Sequence, residues 1–241
     1  VPLDFDEIIP RVRQGAIDFL LANSSFYVEL ELNYDVNRIA TLKNKRLSGV
    51  STTFGGVIFT LRENRSIRTL KDLVGKSFMA VKETSFGGWR MAWRELKENG
   101  IDPYTDLTAL RFGGTHDAVV YAVLNGDTDA GTVRTDTLER MQLEGKIDLD
   151  HFHVIHKHDH GKNHLPFLHS TRAYPEWPLS KIKHTSDTLA EQVALSLIGM
   201  SASSAAAKAA HCSGWTIPLN YQSVHDCLRY LRVGPYRDLG K

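Results

Sequence analysis

The feature that most constrains this chain is the alternation of apolar, β-branched runs with amphipathic runs between Thr69 and Glu144. Thr69–Val74 has helical spacing, Ser77–Val81 reads as a strand, and Phe86–Asn99 reads as a helix stopped by Gly100. Leu107–Phe112 and Thr128–Val133 are further strands, each followed by a helical stretch, Thr115–Leu124 and Thr135–Glu144. A strand followed by a crossover helix returns the chain parallel to its neighbour and puts helices on both faces of the sheet. The predicted class is α/β.

The flanks extend this pattern and then change it. Asp6–Gln14 is helical, Ile17–Ala22 a buried strand, Ser24–Tyr34 a helix, and Val36–Leu42 and Gly56–Leu61 are strands. Beyond Glu144, His151–Ser170 is polar, histidine-rich and extended. Three helical patterns with little strand follow: Ser186–Met200, Ala202–His211 and Ser223–Leu231. A chain that leaves a strand–helix block and comes back in helices predicts two lobes, with crossings near Leu61–Arg65 and His158–Leu165. Residues 1–62 and 163–241 then form one lobe, and 63–162 the other.

Composition excludes some classes. A net charge of +1 without a basic patch argues against nucleic acid as a partner. No apolar run reaches the roughly 18 residues a membrane helix needs. Val1-Pro2-Leu3-Asp4-Phe5 is neither a basic nor an apolar leader segment, and the start at Val1 reads as the inside of a structural unit. Cys212 and Cys227 are either one bridge or two buried thiols.

The candidate site lies at the strand-to-helix junctions. In Glu83-Thr84-Ser85-Phe86-Gly87-Gly88 a strand ends, two hydroxyls follow and a helix begins at two glycines. Backbone N–H groups of a helix start, with hydroxyl donors beside them, suit an anion; equally, Thr84 or Ser85 serves only as a cap. Gly113-Gly114-Thr115-His116-Asp117 repeats the device at the next junction, with His116 in the first helical turn. At the third, Asp129–Thr135, Thr132 and Arg134 follow; Arg134 suits a bidentate oxyanion, or else a salt bridge with Asp136. Asn23-Ser24-Ser25-Phe26-Tyr27 is the equivalent junction of the first lobe, with Tyr27 as aromatic wall or hydroxyl donor. His156, His158 and His160 could share one face of a strand and hold a metal, but the interleaved Lys157 and Asp159 fit a solvated crossing as well. No nucleophile–base pattern is present, so no catalytic residue and no cofactor is expected.

Several blocks together resemble a known family. "SIRTLKDLVGKSFMAVKETSFGG", "NGIDPYTDL" and "GTHDAVVYAVLNGDTDAGTVRTDTLE" are similar to the phosphate/phosphonate-type substrate-binding proteins of ABC transporters. "LPFLHSTRAYPEWP" and "GWTIPLNYQSVHDCLRYLRVGPY" resemble, more narrowly, the sensor regions fused to histidine kinases in this family, tetrathionate sensors among them. The resemblance implies a type II periplasmic-binding-protein fold, two lobes with a ligand cleft between them. It implies ligand contacts from Thr84, Ser85 and His116. With the junction reading it gives a ligand set of Thr84, Ser85, Phe86, Gly87, Thr115, His116, Thr132, Arg134, Tyr27 and Asn23.

The implied function is the extracytoplasmic ligand-sensing domain of a membrane histidine kinase, or alternatively the solute-binding protein of a phosphonate-type transporter. Its partner is a small anion: a phosphonate, a sulfur oxyanion or similar. Membrane attachment through a segment outside these residues and homodimerisation of the full receptor are further expectations. Family members usually begin with a further strand and helix before "VPLDFDEI", so the first lobe is expected to lack that unit. Phe86 interrupts the family's run of small hydroxyl residues, which opens the site to another oxyanion or a partly apolar ligand.

Overall fold

The computed structural model describes residues 3, 5–46, 49–156, 165–238 and 240. The chain forms two compact units: Val1–Thr52 with Pro175–Lys241, and Thr53–Tyr174. The expected crossing at Leu61–Arg65 therefore lies inside the second unit. Gly56–Leu61 is a buried strand there, hydrogen-bonded on both sides, so the chain has already crossed before it. The other expected crossing falls largely on residues 157–164, outside the described residues. No helix among the described residues is long and apolar enough to cross a membrane.

The second unit is built on five strands in the order Ala109–Phe112, Ser77–Ala80, Ala130–Arg134, Gly56–Leu61, Phe152–Ile155. The first three are parallel, as the strand–helix alternation requires. Gly56–Leu61 runs antiparallel to both Ala130–Arg134 and Phe152–Ile155, because no crossover helix joins it to either neighbour's direction. Side chains alternate across the pleat and divide the core in two. Ile58, Phe78, Ala80 and Ala130 pack with Trp89, Ala92 and Leu96 on one face. Val57, Phe59 and Val133 pack with Val119, Val123, Leu138 and Met141 on the other.

The first unit has an antiparallel sheet in the order Phe19–Leu21, Pro178–Lys181, Asn37–Arg46, Cys212–Thr216, with Gly49–Ser51 paired to Asn37–Arg46. Pro178–Lys181 and Cys212–Thr216 replace the nearly strand-free C-terminal reading. The helix expected over Ala202–His211 shortens to Ala205–Ala209 to make room for the second of them. Cys212 and Cys227 are buried thiols, not a disulfide.

A polar network ties the helices of this unit together. Glu31 accepts hydrogen bonds from Tyr27 (2.5 Å), Arg38 (2.8 Å) and His225 (2.9 Å), and Tyr236 lies 2.8 Å from the other ring nitrogen of His225. Burial pushes the Glu31 carboxyl up, but the hydrogen bonds from His225 and Tyr27 and the Arg38 charge outweigh it, so its pKa lies below the usual value. The sign follows from linkage. A folded value below the unfolded one, about 4.3, gives stability that is complete above that pH and lost as pH falls through the folded value. A Glu31→Gln variant should thus unfold at lower urea than the parent near neutrality, with the gap closing as pH falls below the unfolded value of about 4.3. A gap that does not change with pH would refute this.

Candidate anion site

The strand Ser77–Ala80 delivers the chain to a turn in which the Ser85 N–H donates to the Lys82 carbonyl at 3.0 Å. Ser85 is the N-cap: its Oγ accepts from the Gly88 N–H at 3.1 Å, which leaves the hydroxyl hydrogen to donate outward. The first turn, Phe86–Arg90, is a π-turn, with Arg90 N–H bonded to the Ser85 carbonyl at 3.0 Å. A helix start of this kind leaves the Phe86 and Gly87 N–H groups without acceptors inside the helix. Both glycines are required by contact. A Cβ on Gly88 would lie 2.5 Å from Val81 Cγ2, and one on Gly87 would lie 2.9 Å from Phe54 Cε2.

The expected residues then separate by environment. Thr84 is exposed on the turn and Ser85 half-buried. The Phe86 side chain turns inward, 1% exposed, against Tyr174 (4.9 Å) and Phe54 (6.2 Å). It gives the turn its N–H and not an apolar surface for ligand, a correction to the sequence reading. Thr115 is exposed and caps the next helix through the Ala118 N–H at 3.2 Å. Asp117, in the first turn of that helix, pairs with Arg140 and Lys146.

His116 and Arg134 meet directly. The Arg134 backbone N–H donates to His116 Nδ1 at 3.2 Å, so the ring hydrogen sits on Nε2. The Arg134 guanidinium carbon stands 4.3 Å from the centroid of the Phe54 ring, and its Nε lies 3.7 Å from Asp136 Oδ1. Asp136 has φ 71°, a left-handed value that costs a non-glycine residue about 1 kcal/mol or more. Both readings of Arg134 thus have support: it has a carboxylate beside it and it stands at the helix start. A Cβ on Gly87 would be only 3.3 Å from Arg134 Cβ. Thr132 shares its strand face with Arg134, is fully buried, and its Oγ1 makes no hydrogen bond.

One cluster in the second unit therefore unites Ser85, Gly87, His116 and Arg134, with Thr84, Thr115 and Thr132 around it. Asn23 and Tyr27 belong to the other unit and have internal duties. Asn23 Oδ1 caps its helix through the Ser25 and Phe26 N–H groups, each at 3.1 Å. Tyr27 is 1% exposed, donates to Glu31 and accepts from Arg38 at 3.0 Å, so the aromatic wall expected from it is absent. Sequence reasoning passed over Phe54. Its signal was the following Gly55-Gly56, where backbones approach closely: Gly55 bonds Thr135 in both directions, at 3.0 and 3.2 Å.

Among the described residues, the histidine-rich segment shows no strand face of ligands. The strand ends at Ile155, and His156 turns to φ 54° and meets Glu95 at 3.2 Å. His158 and His160 lie outside the described residues, and among the described ones no three metal-binding side chains converge.

Comparison with known proteins agrees with this architecture. The tetrathionate sensor histidine kinase TtrS of Salmonella typhimurium is 32% identical over 236 residues, which cover 97% of this chain and 38% of that protein. The chain thus spans well under half the length of that relative. A Xanthomonas citri protein bound to ATP superposes with TM-score 0.76 at 16% identity, over 96% of this chain and 85% of that one. PhnD1 of Prochlorococcus marinus, in complex with methylphosphonate, does so with TM-score 0.74 at 14% identity, over 96% and 84%. The fold is that of the type II periplasmic binding proteins. Residues 1–220 match the model of the periplasmic phosphonate substrate-binding proteins of ABC transporters, and the chain belongs to that family.

Proposed function

We propose that this chain is the extracytoplasmic ligand-sensing domain of a membrane sensor histidine kinase, and that it captures a small oxyanion at the Ser85–Gly87 turn with Arg134 and His116. The observation that carries the site is the convergence of three strand-to-helix junctions: Gly87 against Arg134, and Arg134 N–H on His116 Nδ1 at 3.2 Å. Hydroxyl, helix N–H groups and a guanidinium are all donors, and their common complement is an anion. The kinase relative supports the sensor role, and its name makes a sulfur oxyanion the first ligand to test. The domain binds and does not catalyse; in this reading the kinase chemistry, the membrane attachment and the pairing of receptors reside elsewhere in the full protein. A free solute-binding protein for a transporter is the second reading, supported by the family and by the methylphosphonate complex of PhnD1.

Titration calorimetry with tetrathionate, thiosulfate and methylphosphonate is the test. At least one should bind, and at about a hundredfold excess over Kd it should stabilise the fold by roughly 2.7 kcal/mol. Ser85→Leu and His116→Ala should each weaken that ligand about tenfold, the loss of one charge-assisted hydrogen bond, while melting remains cooperative. Unchanged affinity in both variants would reduce the turn to a helix cap.

A further inference from the structure

We infer that Phe54 is a positioning residue for the anion site: its ring is the platform that holds the Arg134 guanidinium flat and seats the Gly87 turn beside it. The inference rests on the anion-site reading above and adds a residue that makes no ligand contact of its own. Three observations within one unit carry it. The guanidinium carbon of Arg134 lies 4.3 Å from the Phe54 centroid, well within the range of a cation–π contact. The same ring is what a Gly87 side chain would strike, at 2.9 Å. Phe54 is itself 3% exposed and is wedged edge-on against Phe86, the residue between Ser85 and Gly87, at 6.2 Å.

The physical consequence is a coupling of the two kinds of donor. A guanidinium is a planar fork whose direction is set by torsions that are soft when the side chain is loose. Phe54 fixes one face of it, and Asp136, 3.7 Å from Nε, fixes one edge. Phe54 and Phe86 also set the depth of the turn, so its N–H groups and the arginine fork share one reference surface. A lysine at 134 keeps the charge but cannot use that platform as a plane.

The test is a double-mutant cycle combined with fluorination, read by calorimetry with tetrathionate and methylphosphonate. Phe54→Leu should weaken binding about threefold to thirtyfold, the range of one cation–π contact. In an Arg134→Lys background the same change should cost much less, which a purely structural role would not produce. Replacing Phe54 by mono-, di- and trifluorophenylalanine keeps the shape but drains the ring face of negative charge, and affinity should fall stepwise along the series. Equal losses from Phe54→Leu in both backgrounds, or a flat fluorine series, would overturn the assignment. If no probe binds the parent protein, the anion reading itself falls. The platform then stands or falls on the Arg134 Nε–H proton resonance, which the Phe54 ring current should hold upfield and Phe54→Leu should release. A resonance that does not move would overturn it.

Discussion

Replacing Trp89 with alanine should cost the second unit about 3–5 kcal/mol of stability, the usual loss for a large aromatic removed from a core. Trp89 has no exposed surface and sits within the π-turn itself. Its ring stacks on Trp93 at 5.8 Å and 13°, and meets Phe78 at 6.2 Å and Phe112 at 5.8 Å. Such pairs add to the area term, and no small neighbour can move in to fill the space. Because the chain has two units, unfolding should be followed as two transitions, and only that of the second should move by this amount. Leu143, 76% exposed on the same unit, is the control: its change to alanine should stay within about 0.5 kcal/mol. A Trp89→Ala loss below about 1 kcal/mol would mean that the helix start is not anchored by this aromatic cluster.

Arg134→Ala should abolish most of the affinity for the oxyanion, a loss of about tenfold to a hundredfold for a charge-assisted contact in a largely shielded place. The arginine side chain is 13% exposed, so little of its interaction is screened by salt. Arg134→Lys should recover part of the loss, through charge, but not the part that depends on the fork. Asp136 separates this from simple removal of a salt bridge. If Arg134 served only to neutralise Asp136, then Asp136→Asn in the Arg134→Ala background would restore binding. Retention of full affinity by Arg134→Ala alone would take the guanidinium out of the site.

The local grammar of the site was legible because caps and turns are decided by neighbours in sequence. Asn23, Ser85 and Thr115 each cap the helix that follows, at the positions where a short oxygen-bearing side chain precedes an apolar periodic run. The double glycine after Phe86 announced a close approach, although not what approached. Phe86 and Tyr27 show the limit. Both were placed at the site by their position in the junction, and both turn inward, because an aromatic ring beside a forming core gains more from burial than from solvent contact.

The strands Pro178–Lys181 and Cys212–Thr216 were missed for a related reason. Four or five residues with little alternation carry no strand signal alone; they become strands by pairing with Asn37–Arg46, far away in sequence.

By itself, then, the sequence determined the order of strands and helices from Thr69 to Glu144, the parallel direction of the three strands in that stretch, and the capped turns that a helix start needs. Periodicity and hydrogen-bond chemistry act over a few residues, so they are written in the chain. Only the tertiary structure decided that Arg134 lies over Phe54, that its N–H fixes the His116 tautomer, and that Gly87 abuts both. These contacts join residues 18 to 80 positions apart, and strand register and core packing set them, which no local pattern encodes.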